Sequence, residues 1–299
     1  MTVLRDILVS RGTIGRLDLR NRIIKAGCFE VMSQEGGVTP ELIEHHRRIA
    51  AGGVGMTTVA YCSVSYDGRA FDHEMWMREE ILPDLRKLTD SVHEEGAAVS
   101  IQLGHCGYFA SRGVIRMRPL GASAKFNLFR LSYCRAMTEG DIREKTMDFV
   151  NAAVMAHKSG FDAVEVHAGH GYLLSQFMSP YTNRRTDEYG GSLENRMRFP
   201  AAVVRAIRTE LGEGFPVLVK MNQFDGMPGG LELPEAIDVA RIFEKAGASA
   251  IIPSCGFTSK TPLFMLRGNV PVREMVKNQK HWIRKTGLYL FGKNMVQHY

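Results

Sequence analysis

The sequence predicts an α/β fold of the TIM (β/α)8-type barrel kind, and three observations carry that prediction. Apolar, β-compatible runs alternate in regular succession with amphipathic helical segments. Segments that follow strands are long (104–137, 168–194 and 254–269), whereas those that follow helices are short, as at Gly96 and at Lys158, Ser159 and Gly160. No G-x-G-x-x-G follows the first strand. Regular alternation with right-handed crossovers gives a parallel sheet covered by helices. Long loops past the strand ends are how a barrel builds its site. The missing glycine fingerprint counts against a dinucleotide-binding, doubly wound sheet.

The elements follow in order. TIGRLDLRNRII alternates around Gly15, as a short β-hairpin does, and leads into a strand through Ile23, Ile24 and Lys25. Thr39-Pro40 is a cap followed by a proline at the first helical position, opening a helix that ends near Gly52-Gly53. The strand GMTTVAY follows and ends at Tyr61. A second helix covers Leu82 to Glu95, and AAVSIQLG (97–104) has the unbroken apolar character of a buried parallel strand. Thr138 with Asp141 three residues on resembles a capping box for a helix to Lys158, followed by Gly160 and the strand DAVEVH. A long polar loop then leads to a helix from Asn195 to Leu211, the strand FPVLVKM, a helix starting at Pro234 and the strand ASAIIP. About six βα units and an N-terminal hairpin result. With no low-complexity linker between them, residues 1–299 are expected to form one domain.

Composition excludes several classes of function. No apolar run approaches the roughly 20 residues that cross a bilayer. The first residues, MTVLRDILVSRGTIG, carry charges where a secretory leader needs its apolar core, so a cytoplasmic protein is expected. Five widely spaced cysteines without a CxxC pair argue against a disulfide framework or zinc site. The net charge of +6 sits in the tail: residues 258–299 hold eight Lys/Arg and one acid, leaving thirty basic and thirty-one acidic groups in residues 1–257. That tail is also rich in apolar residues, including Phe264, Leu266, Trp282 and Phe291, so it reads as a surface that packs and not as a nucleic-acid arm.

The chemistry concentrates where AVEVH ends. His167 closes the strand, and His170 and Tyr172 follow within AGHGYLL, over the barrel mouth. Two neutral imidazole donors suit an oxygen whose negative charge grows when hydride reaches a conjugated carbon, and a tyrosine can supply the proton. On spacing alone, a satisfied core histidine at 167 and loop residues at 170 and 172 are the more economical reading. A zinc pair lacks the glutamate of H-E-x-x-H and a third ligand.

The run from Val164 to Phe199, VEVHAGHGYLLSQFMSPYTNRRTDEYGGSLENRMRF, closely resembles the signature of the old yellow enzyme family of FMN-dependent NAD(P)H:flavin oxidoreductases. Supporting matches are IGRLDLRNRIIKAG, AAGGVGMTTVAYCSVS, IQLGHCG and the strand with Lys220. The resemblance implies FMN on the mouth of a TIM barrel, NAD(P)H as reductant and a small-molecule substrate. It places Ala26, Gly27 and Cys28 along the flavin, where small residues let backbone approach the ring. Ala60 is the small residue ending the second strand beside the flavin, and Gln102 the amide on its pyrimidine edge. His167 and His170 become the pair that holds the substrate's electron-withdrawing group, and Tyr172 the proton donor. Arg184, Arg185, Asp187 and Glu194 are expected to form an ion-pair network under the site.

The chain departs from the family at three points. Lys220 stands where much of the family has arginine near flavin N1; it keeps the charge without the bidentate fork, and its alternative is a barrel-interior salt bridge with Glu165. Phe29 stands where many members place the Thr or Cys that tunes the flavin C4 carbonyl. No glycine-rich phosphate cradle follows the sixth strand, where the family continues with two more βα units. The expectation is therefore a barrel lacking its C-terminal quarter, with a homo-oligomer or a second chain completing it. The leading activity is reduction of an activated alkene of enone or dienoyl type; the alternatives are trimethylamine dehydrogenase-like amine oxidation and a non-catalytic remnant unable to retain FMN.

Overall fold

A computed structural model of the chain describes residues 2–128, 130–260, 276, 277 and 286. A first helix, α1 (Thr2–Val9), has no counterpart among the expected elements; eight residues give barely two turns of periodicity. Strands β1 (Gly12–Ile14) and β2 (Leu17–Leu19) form the expected antiparallel hairpin, with Gly15 at a φ of +57° in its turn. β3 (Ile24–Lys25) opens the main sheet. In α2 (Pro40–Ala51), Thr39 Oγ1 accepts from the Leu42 amide at 3.2 Å, and Pro40 sits where no backbone donor is lost. β4 (Met56–Ser63) runs two residues past Tyr61, and β5 (Met75–Trp76) pairs with its end. Then come α3 (Leu82–Glu94) and β6 (Ala98–Gly104).

The 104–137 excursion is not an open loop. It holds α4 (Arg112–Ile115) and a small sheet of β7 (Leu120–Gly121), β8 (Lys125–Asn127) and β9 (Ser132–Ala136). α5 (Glu139–Lys158) starts on the capping box of Thr138 and Asp141 that the sequence announces. β10 (Ala163–Ala168) is followed by α6 (Leu173–Met178), which replaces part of the expected polar loop; all six of its residues are buried. A six-residue helix with no exposed face carries no amphipathic period, so pattern reading passes over it. α7 (Leu193–Leu211), β11 (Val217–Asn222), α8 (Leu233–Lys245) and β12 (Ala250–Ser254) complete the described order. The apolar, basic tail and any phosphate cradle after the sixth strand lie outside the described residues, apart from 258–260, 276, 277 and 286.

The main sheet runs β3, β4, β6, β10, β11, β12, all parallel and in chain order. A doubly wound sheet would reverse direction at a switch point, whereas a barrel winds one way, so this order is the TIM-barrel progression. Among the described residues, β3 and β12 end the sheet and no helix is long and apolar enough to cross a membrane.

Strand alternation divides the sheet into two faces. Val99, Ile101 and Leu103, Val164 and Val166, and Val217 and Val219 face outward against Leu85, Leu88 and Val92 of α3, Phe149 and Ala153 of α5, Val204 and Ile207 of α7, and Phe243 of α8. Each such fully buried Leu, Val or Phe contributes about 1.5–3 kcal/mol. On the inner face, Met56, Ala163 and Leu218 meet Leu19 of the hairpin, which plugs the N-terminal end of the barrel. Further up, the inner face turns polar: Thr58, Ser100, Gln102, Glu165, His167 and Lys220 are all buried.

Candidate active site

The polar inner layer lies at the C-terminal ends of β6, β10 and β11. Pairing register sets Glu165 beside Gln102 and His167 beside Lys220. Glu165 is fully buried; its Oε1 accepts from Gln102 Nε2 at 2.5 Å and lies 2.9 Å from Lys220 Nζ. Lys220 also donates to the Gly27 carbonyl at 2.8 Å. The salt bridge that sequence offered as an alternative for Lys220 is thus present, and it joins three of the expected cofactor-binding residues into one unit. It does not exhaust the lysine, since an ammonium carries three donors and these bonds take two.

Gly27 is small for a different reason than expected. A Cβ there would meet Gln102 Nε2 at 3.0 Å, Thr58 Cγ2 at 3.1 Å and Glu165 Oε1 at 3.2 Å, so the barrel interior itself excludes a side chain. Ala26 and Cys28 on either side are exposed, and Phe29 stacks on Phe71 and His73, with ring centroids 5.6 Å apart in each pair. Ala60 is buried in a cluster with Tyr61, Cys106 and Phe109, and Tyr172 packs against it.

His167, His170 and Tyr172 do come together. Ring centroids of His167 lie 4.9 Å from both His170 and Tyr172, edge to face. His167 Nδ1 accepts from the Gly169 amide at 3.3 Å, which leaves its proton on Nε2. His170 adopts a φ of +58°, a left-handed conformation uncommon outside glycine. The conformation is held from several sides: its amide donates to Asn222 Oδ1 at 2.9 Å, Nε2 bonds Ser254 Oγ at 2.6 Å, and its carbonyl accepts from Thr258 N and Oγ1.

Electrostatics fix the protonation states. Burial first, then His170 and Lys220, pushes His167 well below its ordinary value, and burial with Lys220 pulls His170 to about 4. Both rings are neutral at neutral pH and act as hydrogen-bond donors and acceptors. Burial, followed by Cys106 and Glu74, pushes Tyr172 well above the ordinary phenol value, so it keeps its proton.

Tyr61 is the site residue that sequence reasoning missed. Its buried ring stands edge to face with Tyr172 at 5.5 Å and with His167 at 6.0 Å. Gly104 makes room for it: a Cβ at 104 would fall 2.6 Å from Tyr61 Cε2. Its place at the end of the second strand, next to Ala60, was the available signal.

Supporting loops are tied down by polar contacts. Gln176 donates to the carbonyls of Cys106 and Gly171 and accepts from the Tyr108 amide. In NRRTDEYGG, Arg185 pairs with Asp187 and donates to the carbonyls of Ala122 and Met137. The expected four-residue network is smaller than that. Arg184 uses its backbone amide on Ser123, and Glu194 sits in the first turn of α7 beside its cap Ser192, because the helix begins two residues earlier than the pattern suggested. Elsewhere, Glu30, His45 and His46 bring potential ligand atoms within 4.8 Å of one another, but Lys25 already forms an ion pair with Glu30.

The donor set suits a flavin in its chemistry. A buried cation, a carboxamide and an exposed edge of small residues lie beside two neutral imidazoles, and Glu165 Oε2 is a buried oxygen without a hydrogen-bond partner.

Comparison with known proteins agrees. The model of the NADH:flavin oxidoreductase / NADH oxidase family matches residues 12–257. A 4,4'-dithiodibutanoate disulfide reductase of Rhodococcus erythropolis is 39% identical over 287 residues, covering 96% of this chain and 71% of its own. A metal reductase of Desulforamulus reducens is 37% identical over 266 residues, covering 89% of this chain and 40% of its own. The structure of a 2-naphthoyl-CoA reductase superposes with a TM-score of 0.82 at 29% identity, over 96% of this chain and 45% of that one. The chain therefore spans less than half the length of the latter two.

Proposed function

Because this chain belongs to the NADH:flavin oxidoreductase / NADH oxidase family, the old yellow enzyme group, we propose that it reduces an alkene activated by a conjugated carbonyl. Membership brings FMN as cofactor and NAD(P)H as its reductant. Ala26, Gly27, Cys28, Ala60, Gln102 and Lys220 are the residues that would hold the flavin, with the Lys220 ammonium supplying positive charge to stabilise its anionic reduced form. When bound, FMN supplies the hydride.

The remaining work belongs to the protein. His167 and His170, both neutral, donate to the carbonyl oxygen and stabilise the charge that builds there as the conjugated carbon is reduced. Tyr172 delivers its phenolic proton to the neighbouring carbon. Tyr61 and Phe109 flank the Tyr172 ring and hold it in place. The observation that carries this reading is the edge-to-face cluster of two neutral imidazoles and one protonated phenol on the barrel mouth.

A second reading has its own support. The Rhodococcus relative, matched over almost the whole of this chain, is a reductase of an organic disulfide. Disulfide cleavage also creates anionic products that Tyr172 could protonate. The test is NADPH oxidation by the FMN-loaded chain with 2-cyclohexen-1-one, with 4,4'-dithiodibutanoate, and with a tertiary amine plus dye. Enone-dependent oxidation supports the leading reading. Oxidation with the disulfide alone transfers the same site to the second, and amine-dependent dye reduction alone overturns both.

A further inference from the structure

A carboxylate stands among the residues that would hold the flavin, and the proposed chemistry does not use it. Glu165, on β10, is fully buried, and its partners Gln102 and Lys220 are each 4% exposed. Its Oε1 accepts from Gln102 Nε2 at 2.5 Å and lies 2.9 Å from Lys220 Nζ. The same oxygen faces Gly27, where a Cβ would come within 3.2 Å of it. Oε2 is buried and has no hydrogen-bond partner among the described residues.

Stability alone does not select this arrangement. A buried carboxylate with an unsatisfied oxygen costs free energy, and well-packed neutral side chains in place of a buried ion pair often cost less. The charge has two consequences for a ligand in the barrel mouth. The carboxylate of an ion pair can only accept, so it fixes the Gln102 amide with its NH2 group toward β10 and leaves the Gln102 carbonyl and second N–H for a ligand's donor and acceptor edge. It also sets a negative charge against the Lys220 ammonium, and each charge weakens the field of the other. His167, His170 and Tyr172 are uncharged at neutral pH, so the Glu165–Lys220 pair supplies the charge of this inner layer.

We propose that Glu165 sets the reduction potential of the flavin by offsetting the positive charge of Lys220, which limits how strongly the site favours reduced over oxidised FMN. The inference rests on Gln102 and Lys220 being flavin-holding residues, and it holds whichever substrate reoxidises the cofactor. Reduction adds negative charge to the flavin; the ammonium favours that form and the carboxylate beside it opposes it. A lower potential leaves the reduced flavin a stronger hydride donor. Glu165 touches no reacting atom; it acts through Lys220 and Gln102 as a positioning residue.

The test is the midpoint potential of the FMN-loaded chain at neutral pH, read by equilibration with a reference dye, together with the Kd of oxidised FMN from fluorescence titration. Glu165→Gln keeps the shape and an acceptor and removes the charge. It should raise the potential by about 30 mV or more, the two-electron equivalent of a tenfold stronger preference for reduced FMN. The double variant Glu165→Gln with Lys220→Met removes both charges and strands neither, so its potential should stay within about 30 mV of the unmodified chain. Where Glu165→Gln does not fold, the double variant decides alone. A potential unchanged or lowered in folded Glu165→Gln, or one that falls by more than about 30 mV in the double variant, overturns the proposal. Gln102→Leu is the reference for the flavin assignment and should weaken binding of oxidised FMN. If it binds weakly while Glu165→Gln leaves the potential in place, only the role of Glu165 fails. If it binds FMN as tightly as the unmodified chain, or the unmodified chain takes up no FMN, the flavin assignment fails and takes the proposal with it.

Discussion

Glu165 Oε1 lies 2.9 Å from Lys220 Nζ in the barrel interior, and both side chains are at most 5% exposed. A buried ion pair is costly to split, because removing one partner strands the other charge in a low-dielectric interior. Glu165→Ala should therefore lower unfolding free energy by about 3–5 kcal/mol in urea denaturation. The double variant Glu165→Leu with Lys220→Met should recover most of that loss. Additive losses in the double variant would show that the two residues are not coupled.

The two imidazoles make a pH prediction with a definite sign. His167 and His170 are held neutral in the folded chain, His170 down to about 4, whereas unfolded histidine titrates near its ordinary value. The folded state then binds fewer protons than the unfolded one between those values, so stability is full above the ordinary histidine value and falls as pH drops through that window. Tm measured over a pH series should decline on the acid side, and His170→Asn should flatten the decline. Asparagine is chosen because it tolerates the left-handed backbone that residue 170 adopts. An acid limb unchanged in the variant would contradict the assignment.

Glu74 works in the opposite direction. Burial raises its carboxyl from the ordinary value to about 7, so its contribution is fully present below the ordinary carboxylate value and is lost as pH rises toward 7. Glu74→Gln should weaken the dependence of Tm on pH in that range, which a calorimetric series can read without any cofactor or substrate.

Gly104 links packing to the site. A methyl group there would fall 2.6 Å from Tyr61 Cε2 and 3.1 Å from His167 Cβ. Gly104→Ala should destabilise the chain by about 1–3 kcal/mol, the usual range for overpacking, and push the Tyr61 ring off His167. Fluorescence-monitored unfolding tests the first part, and loss of enone turnover the second.

Much of this was legible in sequence, and the failures have physical causes. The barrel progression could be read because outward Val and Ile positions, helix caps such as Thr39 and Thr138, and loop lengths all point to one architecture. The clustering of His167, His170 and Tyr172 could be read because short spacing at a strand end forces proximity. β7 to β9 were not, since strands of two to five residues with mixed exposure leave no period. α6 escaped because burial on every side erases the amphipathic signal. Tyr61, Cys106 and Glu74 meet only through packing between β4, the 66–76 segment and the loop after β6, a conjunction that no local pattern records.

On the proposed reading, Tyr172 protonates a substrate held by His167 and His170. Its most direct test is stopped-flow reoxidation of the NADPH-reduced, FMN-loaded chain by 2-cyclohexen-1-one, with and without Tyr172→Phe. Reduction by NADPH should be unaffected while enone-driven reoxidation slows by about 10²–10⁴-fold, the contribution of a positioned general acid. Reoxidation by the enone at the unmodified rate in Tyr172→Phe would contradict it.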